Sequence, residues 1–459
     1  MDYQGPEQLS EDDARILSVE SDVITGHTLK LIILEPGTAL DIDGLKRAVA
    51  KRLATQPRAT QRVDTSGPQP RWVKAADFDI SHHIRRPTTP ECVSQEDLWR
   101  TVSGLMSEHL DRARPLWTFD VIGPLGDGRE AIAVRIHHAM ADGIAAVRFL
   151  HAVLWDPHPE PPPRAQPGLR PASPEPDRLA EAWRMPGAIL RELGHPGSRS
   201  PFDRPITGAR ELAFTVAPLA ELKAIGATRP AHATVNDVLL ATIAGGLRDW
   251  LGVSAATTPH LHAQVPVSLH HRDEAAGDLG NRDSFINVDL PLAEADPLAR
   301  LDRISAETSQ RKELGDAEEL FDLFHALGRL KHIGDAVRRL AGSGREFSVS
   351  ISNVPGPAVP VGVARAPGAT PVLLIGARRS SRAAHLGDLV RRRPRDRVVH
   401  RSAGPTRRRP AGAGHHVRLR RTAQRSDATV CVTVASRTPQ SAVRVTDSCQ
   451  SPINYCHRN

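Results

Sequence analysis

The sequence has few aromatic residues, few cysteines and no long apolar run. Aromatic residues make up 4% of its 459 residues, and three of the four cysteines fall in the last 29 residues without C-x-x-C spacing. This usage argues against a disulfide framework or a zinc knuckle and favours a reducing compartment. Because no run of about 18 apolar residues occurs and the first segment is acidic, we expect neither a membrane span nor an ordinary secretion signal. We therefore expect a cytoplasmic, globular protein.

Residues 365–459 lack most of the residue types that build a protein core. They contain no lysine, no glutamate and no aromatic residue before Tyr455, but 20 arginines and four aspartates, whereas residues 1–364 carry a net charge of −9. This composition predicts a poorly ordered Arg-rich tail. Three interpretations remain open: a solvated basic tail, a surface that binds nucleic acid or anionic lipid, and a G+C-rich gene read out of frame, which fits the composition best.

Proline marks the main division of the rest of the chain. Nine prolines between residues 157 and 176 exclude a helix or a central strand there and predict an extended linker. We therefore divide the chain into an N-terminal lobe, a Pro-rich crossover, a C-terminal lobe and the atypical tail, at residues 1–156, 157–205, 206–364 and 365–459.

Both lobes combine helical and strand patterns. Apolar residues at helical spacing predict helices over residues 41–54, 95–110 and 235–251. Alternation and β-branched runs predict strands over residues 29–34, 117–122, 131–138, 263–269, 285–290 and 347–352. Because helices and strands are interleaved, the predicted fold class is mixed α/β.

The most informative stretch is a pair of histidines at a strand-to-helix junction. A predicted strand ends at His137 and His138, three residues follow, and Asp142 and Gly143 begin a predicted helix. An imidazole there can take a proton from a hydroxyl at neutral pH and return it to a leaving group. A satisfied core histidine is the simpler interpretation of a lone His. However, only this one of four adjacent His pairs precedes x-x-x-Asp-Gly. We expect no metal, because neighbouring strand positions face opposite ways and no further ligand cluster accompanies them.

This pattern, H-H-x-x-x-D-G, resembles the signature of the CoA-dependent acyltransferase superfamily. The surrounding sequence is most similar to its bacterial wax ester synthase/diacylglycerol acyltransferase branch. Further landmarks occur in order along the chain: Leu9–Asp12, Pro115–Trp117, Thr234–Ala241, Val265–Leu269, Leu279–Arg282 and Ile351–Pro357.

The resemblance implies a two-lobed, chloramphenicol acetyltransferase-like fold with the active site between the lobes. It implies no cofactor, with acyl-CoA as co-substrate, and transfer of a long-chain acyl group to diacylglycerol to form triacylglycerol. Two alternatives remain: a wax ester synthase that uses long-chain alcohols, and a catalytically weakened lipid-binding relative. The second arises because the similarity fades after Val363, where the tail replaces the expected end of the second lobe.

The resemblance also assigns roles to individual residues. His138 would be the general base. Asp142 would aim it by pairing with an unidentified arginine, although a helix N-cap explains an aspartate there equally well. Asn236 would lie near the reaction centre and polarise the thioester oxygen, or merely cap a helix beside Asp237. His137 and Gly143 are assigned to the substrate-binding side. His137 is expected to pack or hydrogen-bond locally. Gly143 is expected to allow close approach of a ligand or a neighbouring strand, although a plain turn glycine explains it about as well.

The expected partners are acyl-CoA and a lipid alcohol. A water-insoluble acceptor implies peripheral contact with the inner face of the plasma membrane or with a lipid droplet, to which the Arg-rich tail would add electrostatic attraction. We expect no nucleic-acid partner, because the body is acidic and contains no helix-turn-helix or zinc-finger pattern.

Overall fold

The fold is that of a computed structural model, which describes residues 7–37, 39–156, 207–210, 212–252, 261–268, 283–314, 349–354, 356, 361–363 and 429–435. The predicted crossover and most of the predicted tail lie outside these residues. The described helices are α1 (Glu11–Ser18), α2 (Ile42–Arg52), α3 (Gln95–Ser107), α4 (Gly143–Val153), α5 (Leu219–Ala227), α6 (Val235–Leu251) and α7 (Pro297–Leu314). The described strands are β1 (Glu7–Gln8), β2 (His27–Leu34), β3 (Gln61–Asp64), β4 (Arg71–Lys74), β5 (Ile84–Arg85), β6 (Trp117–Ile122), β7 (Glu130–His137), β8 (Leu212–Pro218), β9 (Leu261–Ser268), β10 (Asp283–Leu290), β11 (Val349–Ser350) and β12 (Thr429–Ala435).

A four-stranded sheet with the order β2-β7-β6-β5 forms the centre of the first half. Strand β7 is antiparallel to β2 and β6, and its register places His137 opposite His27. Each face of the sheet is covered by helices. On one face Ile132, Val134 and Ile136 join a core with residues of α2 and α4, and on the other Ala131 and Ala133 join a core with α3. Covering on both faces explains why β7 is buried along its whole length.

The second half has its own sheet and core. Strands β10, β9 and β11 pair in that order, and apolar residues of α5, α6 and α7 pack with them in one cluster. Helix α6 begins and ends where the sequence predicts, because a capping box precedes it and the left-handed Gly252 follows it. Mixed helices and strands in both halves confirm the predicted fold class.

The segment that follows the second sheet returns to the first half. Trp155 forms an antiparallel bridge with Val363, and Asp156 N donates to Gly362 O at 2.8 Å. Val361 and Val363 are buried in the first core. This short contact ties the chain beyond β11 to the C-terminal end of α4.

Two pairings were not predicted from the sequence. Strands β1, β4 and β3 form a small antiparallel sheet, and β12 pairs with β8 along its full length. Strand β12 belongs to the segment for which composition predicts poor order, but Thr429–Ala435 alternates in the way a strand requires. The average composition of a segment hides such a short local pattern.

Candidate active site

A tight turn links the end of β7 to the start of α4. The carbonyl oxygen of His137 accepts hydrogen bonds from Met140 N at 2.9 Å and from Ala141 N at 3.2 Å. Asp142 then caps α4. The structure thus brings together four of the five residues predicted for the site, namely His137, His138, Asp142 and Gly143.

His138 extends the β2–β7 ladder by one residue. Its backbone N–H donates to Gly26 O at 2.9 Å, which fixes its backbone against the residue that precedes β2. The residue retains only 9% of its exposure. The imidazole is therefore shielded from water on most sides.

His137 is packed more tightly than His138. Its ring lies so close to Gly26 that a Cβ atom on that glycine would be 2.3 Å from His137 Nε2. Its Nδ1 accepts a hydrogen bond from Ala139 N at 3.1 Å. These contacts agree with the expected local packing of His137, and its predicted contact with substrate stays a prediction.

Asp142 is fully buried and acts as the N-cap of α4. Its side chain accepts a hydrogen bond from Ala145 N at 2.8 Å. The capping interpretation of the sequence is therefore confirmed, because one carboxylate oxygen satisfies a helix N–H that has no intrahelical acceptor. The predicted pairing with an arginine stays a prediction.

Gly143 lies against the segment that follows β11. A Cβ atom at this position would be 3.1 Å from Val354 Cγ2, closer than nearly all observed Cβ contacts. The neighbour is thus not the predicted strand but a residue beyond β11, and contact of Gly143 with a ligand stays a prediction. This contact joins the start of α4 to the S-N-V-P-G-P segment of the second half, residues 352–357, which contains Val354.

Asn236 lies on α6, outside the turn that carries the histidines. The capping box is formed by Thr234 and Asp237, so the interpretation of Asn236 as a cap is wrong. Asp237 accepts hydrogen bonds from Thr234 N and Thr234 Oγ1, both at 2.7 Å, and from Thr308 Oγ1 of α7, also at 2.7 Å. The Oδ1 atom of Asn236 is buried and forms no hydrogen bond with any described residue. Asn236 therefore does not cap α6.

The landmark Pro115–Trp117 builds the sheet beside the histidines. Leu116 O accepts from His137 N at 2.9 Å, and Trp117 Nε1 donates to Ala59 O at 2.9 Å. Both side chains are buried in the first core. This segment therefore packs the core of the first half.

A charged network inside the first half was not predicted from the sequence. Arg135 Nη2 lies 3.3 Å from Asp120 Oδ2, and Arg85 contacts Asp120 Oδ1 through Nε at 2.9 Å and Nη2 at 2.7 Å. Burial lowers the pKa of Arg135, and the charge of Asp120 partly opposes that shift. The strand register could have indicated this pair, because Thr118 is opposite Arg135 and Asp120 is two residues further on.

The sequence also provides no indication that Glu20 lies beside the histidine turn. Its Oε2 lies 3.6 Å from His137 Nε2, and Arg112 donates to the same oxygen through Nε at 2.8 Å and through Nη2. Burial raises the pKa of Glu20, but the neighbouring side chains of His137 and Arg112 together outweigh burial, so the pKa is lowered overall. More than 90 residues separate these partners, and no local pattern in the sequence links them.

The described residues contain no cluster of three or more His, Cys, Asp or Glu side chains able to hold a metal ion. Within the same ranges, no helix has the length and hydropathy that crossing a bilayer requires.

Family models match two parts of the chain. The wax ester synthase/diacylglycerol acyltransferase catalytic domain matches residues 9–196, and the C-terminal domain of the same family matches residues 279–373. The first match contains the histidine turn, and the second contains the S-N-V-P-G-P segment that contacts it.

Whole proteins of the family are similar over most of their length. A Mycobacterium bovis protein named for a diacylglycerol O-acyltransferase activity is 31% identical over 391 residues, which cover 75% of this chain and 76% of the relative. A Mycobacterium tuberculosis protein named for the same activity is 30% identical over 400 residues, covering 78% of this chain and 87% of the relative.

A solved structure gives the same fold. The wax ester synthase/diacylglycerol acyltransferase of Marinobacter aquaeolei superposes with a TM-score of 0.57 at 24% identity, over 82% of this chain and 89% of that chain. The predicted two-lobed acyltransferase fold is thereby confirmed. With the family models, the relatives and the fold in agreement, the chain belongs to the wax ester synthase/diacylglycerol acyltransferase family of acyltransferases.

Proposed function

We propose that this protein transfers a long-chain acyl group from acyl-CoA to diacylglycerol, forming triacylglycerol, with His138 as the general base. The observation that carries the proposal is the buried His138 on a turn whose backbone is held at both ends, by Gly26 O before it and by the capped α4 after it. Names of relatives with diacylglycerol O-acyltransferase activity support the choice of acceptor.

The chemistry needs one base and no covalent intermediate on the protein. His138 takes the proton from the acceptor hydroxyl as its oxygen attacks the thioester carbonyl. The new carbon–oxygen bond forms, the carbon–sulfur bond breaks, and CoA leaves as a thiol with the proton that His138 returns. General base catalysis typically contributes about 10²–10⁴-fold, and holding both substrates in register contributes up to about 7–11 kcal/mol. No cofactor enters this scheme, since acyl-CoA is consumed as a co-substrate.

Two further residues complete the proposed machinery. The amide of Asn236 would polarise the thioester carbonyl, a role favoured by its position outside the capping box of α6. Asp142 would orient the turn as the N-cap of α4 and through the predicted arginine. His137 and Gly143 would form part of the substrate-binding side of the site.

The test measures transfer from labelled palmitoyl-CoA to diacylglycerol and, separately, to hexadecanol. We expect wild-type protein to form triacylglycerol and His138→Ala to lose it. His82→Ala is the matched control, because His82 belongs to another His pair and is exposed. Faster product formation with hexadecanol would instead establish a wax ester synthase, the other activity that the family name includes. Full activity in His138→Ala would contradict the assignment of the base.

Because diacylglycerol is insoluble in water, the protein must bind it at a lipid surface. We propose that the protein collects acceptor at an anionic membrane or lipid-droplet surface, with the arginines of residues 365–459 contributing up to about 1 kcal/mol each near that surface. Replacing Arg391–Arg393 and Arg407–Arg409 by glutamine removes six positive charges without deleting the residues of β12. This variant should bind phosphatidylserine vesicles more weakly in a flotation assay. Unchanged binding would contradict the role of the tail.

A further inference from the structure

The first histidine of the pair is held by an acidic side chain from the N-terminal segment. Glu20 follows α1 by two residues, and only 5% of its side chain is exposed. Arg112 binds its Oε2 through both Nε and Nη2, and His109 Nε2 lies 3.9 Å from its Oε1. A carboxylate with these partners keeps its charge in a buried site.

The contacts of His137 select one form of its ring. A backbone N–H can only donate, so the hydrogen bond from Ala139 N at 3.1 Å requires an unprotonated Nδ1. The ring proton then resides on Nε2, the atom that lies 3.6 Å from Glu20 Oε2. A carboxylate beside this N–H stabilises that tautomer over the other.

The ring of His137 is also coupled to the backbone that carries His138. Gly26 has a φ of +66°, packs against the ring, and accepts the hydrogen bond from His138 N. The carbonyl of His137 binds Met140 N and Ala141 N. A tilt of the ring therefore shifts the backbone on both sides of His138.

We propose that Glu20 is a positioning residue, which holds His137 in its Nε2–H tautomer and thereby sets the orientation of His138. This inference rests on the proposed function, in which His138 is the base. In this proposal Glu20 acts on His138 through His137. In serine proteases a carboxylate fixes the tautomer of the catalytic histidine itself. Here the carboxylate would fix the tautomer of the histidine next to the catalytic one.

Other charged or titratable groups face the same cluster. His27 is opposite His137 in the strand register, and its pKa is lowered well below the usual value by burial and by the charge of Arg135. His109 and Arg112 approach Glu20 from the segment after α3. A neutral His27 therefore adds no positive charge beside His137.

The experiment compares Glu20→Gln, Glu20→Asp and the control Glu35→Gln, a substitution at an exposed position. In Glu20→Gln we expect kcat to fall about 10-fold while KM for palmitoyl-CoA stays within about twofold. Glu20→Asp should recover part of this loss, because it restores the charge. Wild-type kcat in Glu20→Gln would overturn the proposal, and Glu35→Gln should match the wild type.

A second measurement does not depend on activity. Nitrogen-15 NMR of histidine-labelled protein at pH 7 reports the tautomer of each ring, and His137→Asn assigns the signal. We expect the Nε2–H form in wild type and a mixture of forms in Glu20→Gln. An unchanged His137 signal in Glu20→Gln would refute the proposal even if activity fell. Full activity in His138→Ala would contradict the proposed function, in which His138 is the base. The NMR result would then still test whether Glu20 fixes the tautomer of His137.

Discussion

Two adjacent His pairs in the first half have the same dipeptide sequence and very different surroundings. In the pair before β5, His82 is exposed and His83 is buried, with its ring between Phe78 and Trp117 at centroid distances of 5.1 and 4.6 Å. In the pair at the end of β7, both His137 and His138 are buried. The first pair has one histidine in the core, and the second has both in the turn that begins α4.

The residues on the C-terminal side of each pair account for this difference. A capping aspartate and a glycine begin α4 four and five residues after His138, and they force a tight turn that keeps both rings inside. His83 is instead succeeded by the short strand β5, and its Nδ1 bonds with Trp117 O at 2.8 Å. The spacing to Asp142, rather than the histidines themselves, therefore distinguishes the candidate site.

The largest effect that should separate the two pairs is on turnover. We expect His138→Gln to lower kcat by about 10²–10⁴-fold, since glutamine has no titratable group to accept the hydroxyl proton. His83→Gln should lower the melting temperature and leave kcat of the folded fraction near the wild-type value. Acyl-transfer assays with calorimetry on both variants would check this. Equal losses of kcat would show that the two pairs do not differ in function.

The next effect concerns stability in acid. Burial lowers the pKa of His83 from 6.5 to about 4, although its hydrogen bond with Trp117 O opposes the shift. The folded state therefore resists a proton that the unfolded state binds, and stability should fall by up to about 3 kcal/mol as pH drops from 6.5 to 4. His83→Asn should flatten this part of the profile.

Urea unfolding between pH 7 and pH 4 measures this change. Some acid dependence should remain in His83→Asn, because burial also lowers the pKa of His27. A profile in His83→Asn as steep as that of the wild type would show that protonation of His83 is not the cause.

A third prediction separates the two roles of Asp142. Asparagine caps helices about as well as aspartate, so Asp142→Asn should change the free energy of unfolding by less than about 1 kcal/mol. If Asp142 also orients His138 through its charge, kcat should fall by about 10-fold or more. Parallel denaturation and turnover measurements decide this. Unchanged kcat would leave Asp142 with the capping role alone.

The smallest effect should come from the cap in the second half. Thr234 accepts a hydrogen bond from Asp237 N at 3.3 Å, and its hydroxyl donates to Asp237 Oδ2. Thr234→Ala should therefore cost about 1 kcal/mol of stability. Thr234→Ser, which keeps the hydroxyl, should cost less, as chemical denaturation would show. A larger loss in serine than in alanine would contradict the capping argument.

Local patterns predicted many of the elements closely. Helix α6 and strand β6 have the predicted bounds, and α2 begins after its capping Asp41. The turn at His138 and the helix after it were also predicted from the sequence. These features depend on caps and periodicity within one or two turns, which neighbouring residues supply.

Long-range contacts could not be predicted in the same way. The approach of Gly143 to Val354 joins residues more than 200 positions apart, and Glu20 reaches His137 across 117 positions. Strand β12 pairs with β8 across a similar distance. A short window of sequence does not indicate which distant segment will pack against it in the folded protein.

The sequence by itself determined the family, the mixed fold class and the residues of the histidine turn, because these depend on ordered motifs and local spacing. Tertiary structure alone decided which partners surround that turn. Packing of the sheet between α3 and the pair α2 and α4 buries His137 and His138. The same packing brings Glu20 to His137 and Arg112 to Glu20, across distances in the sequence that no local pattern signals.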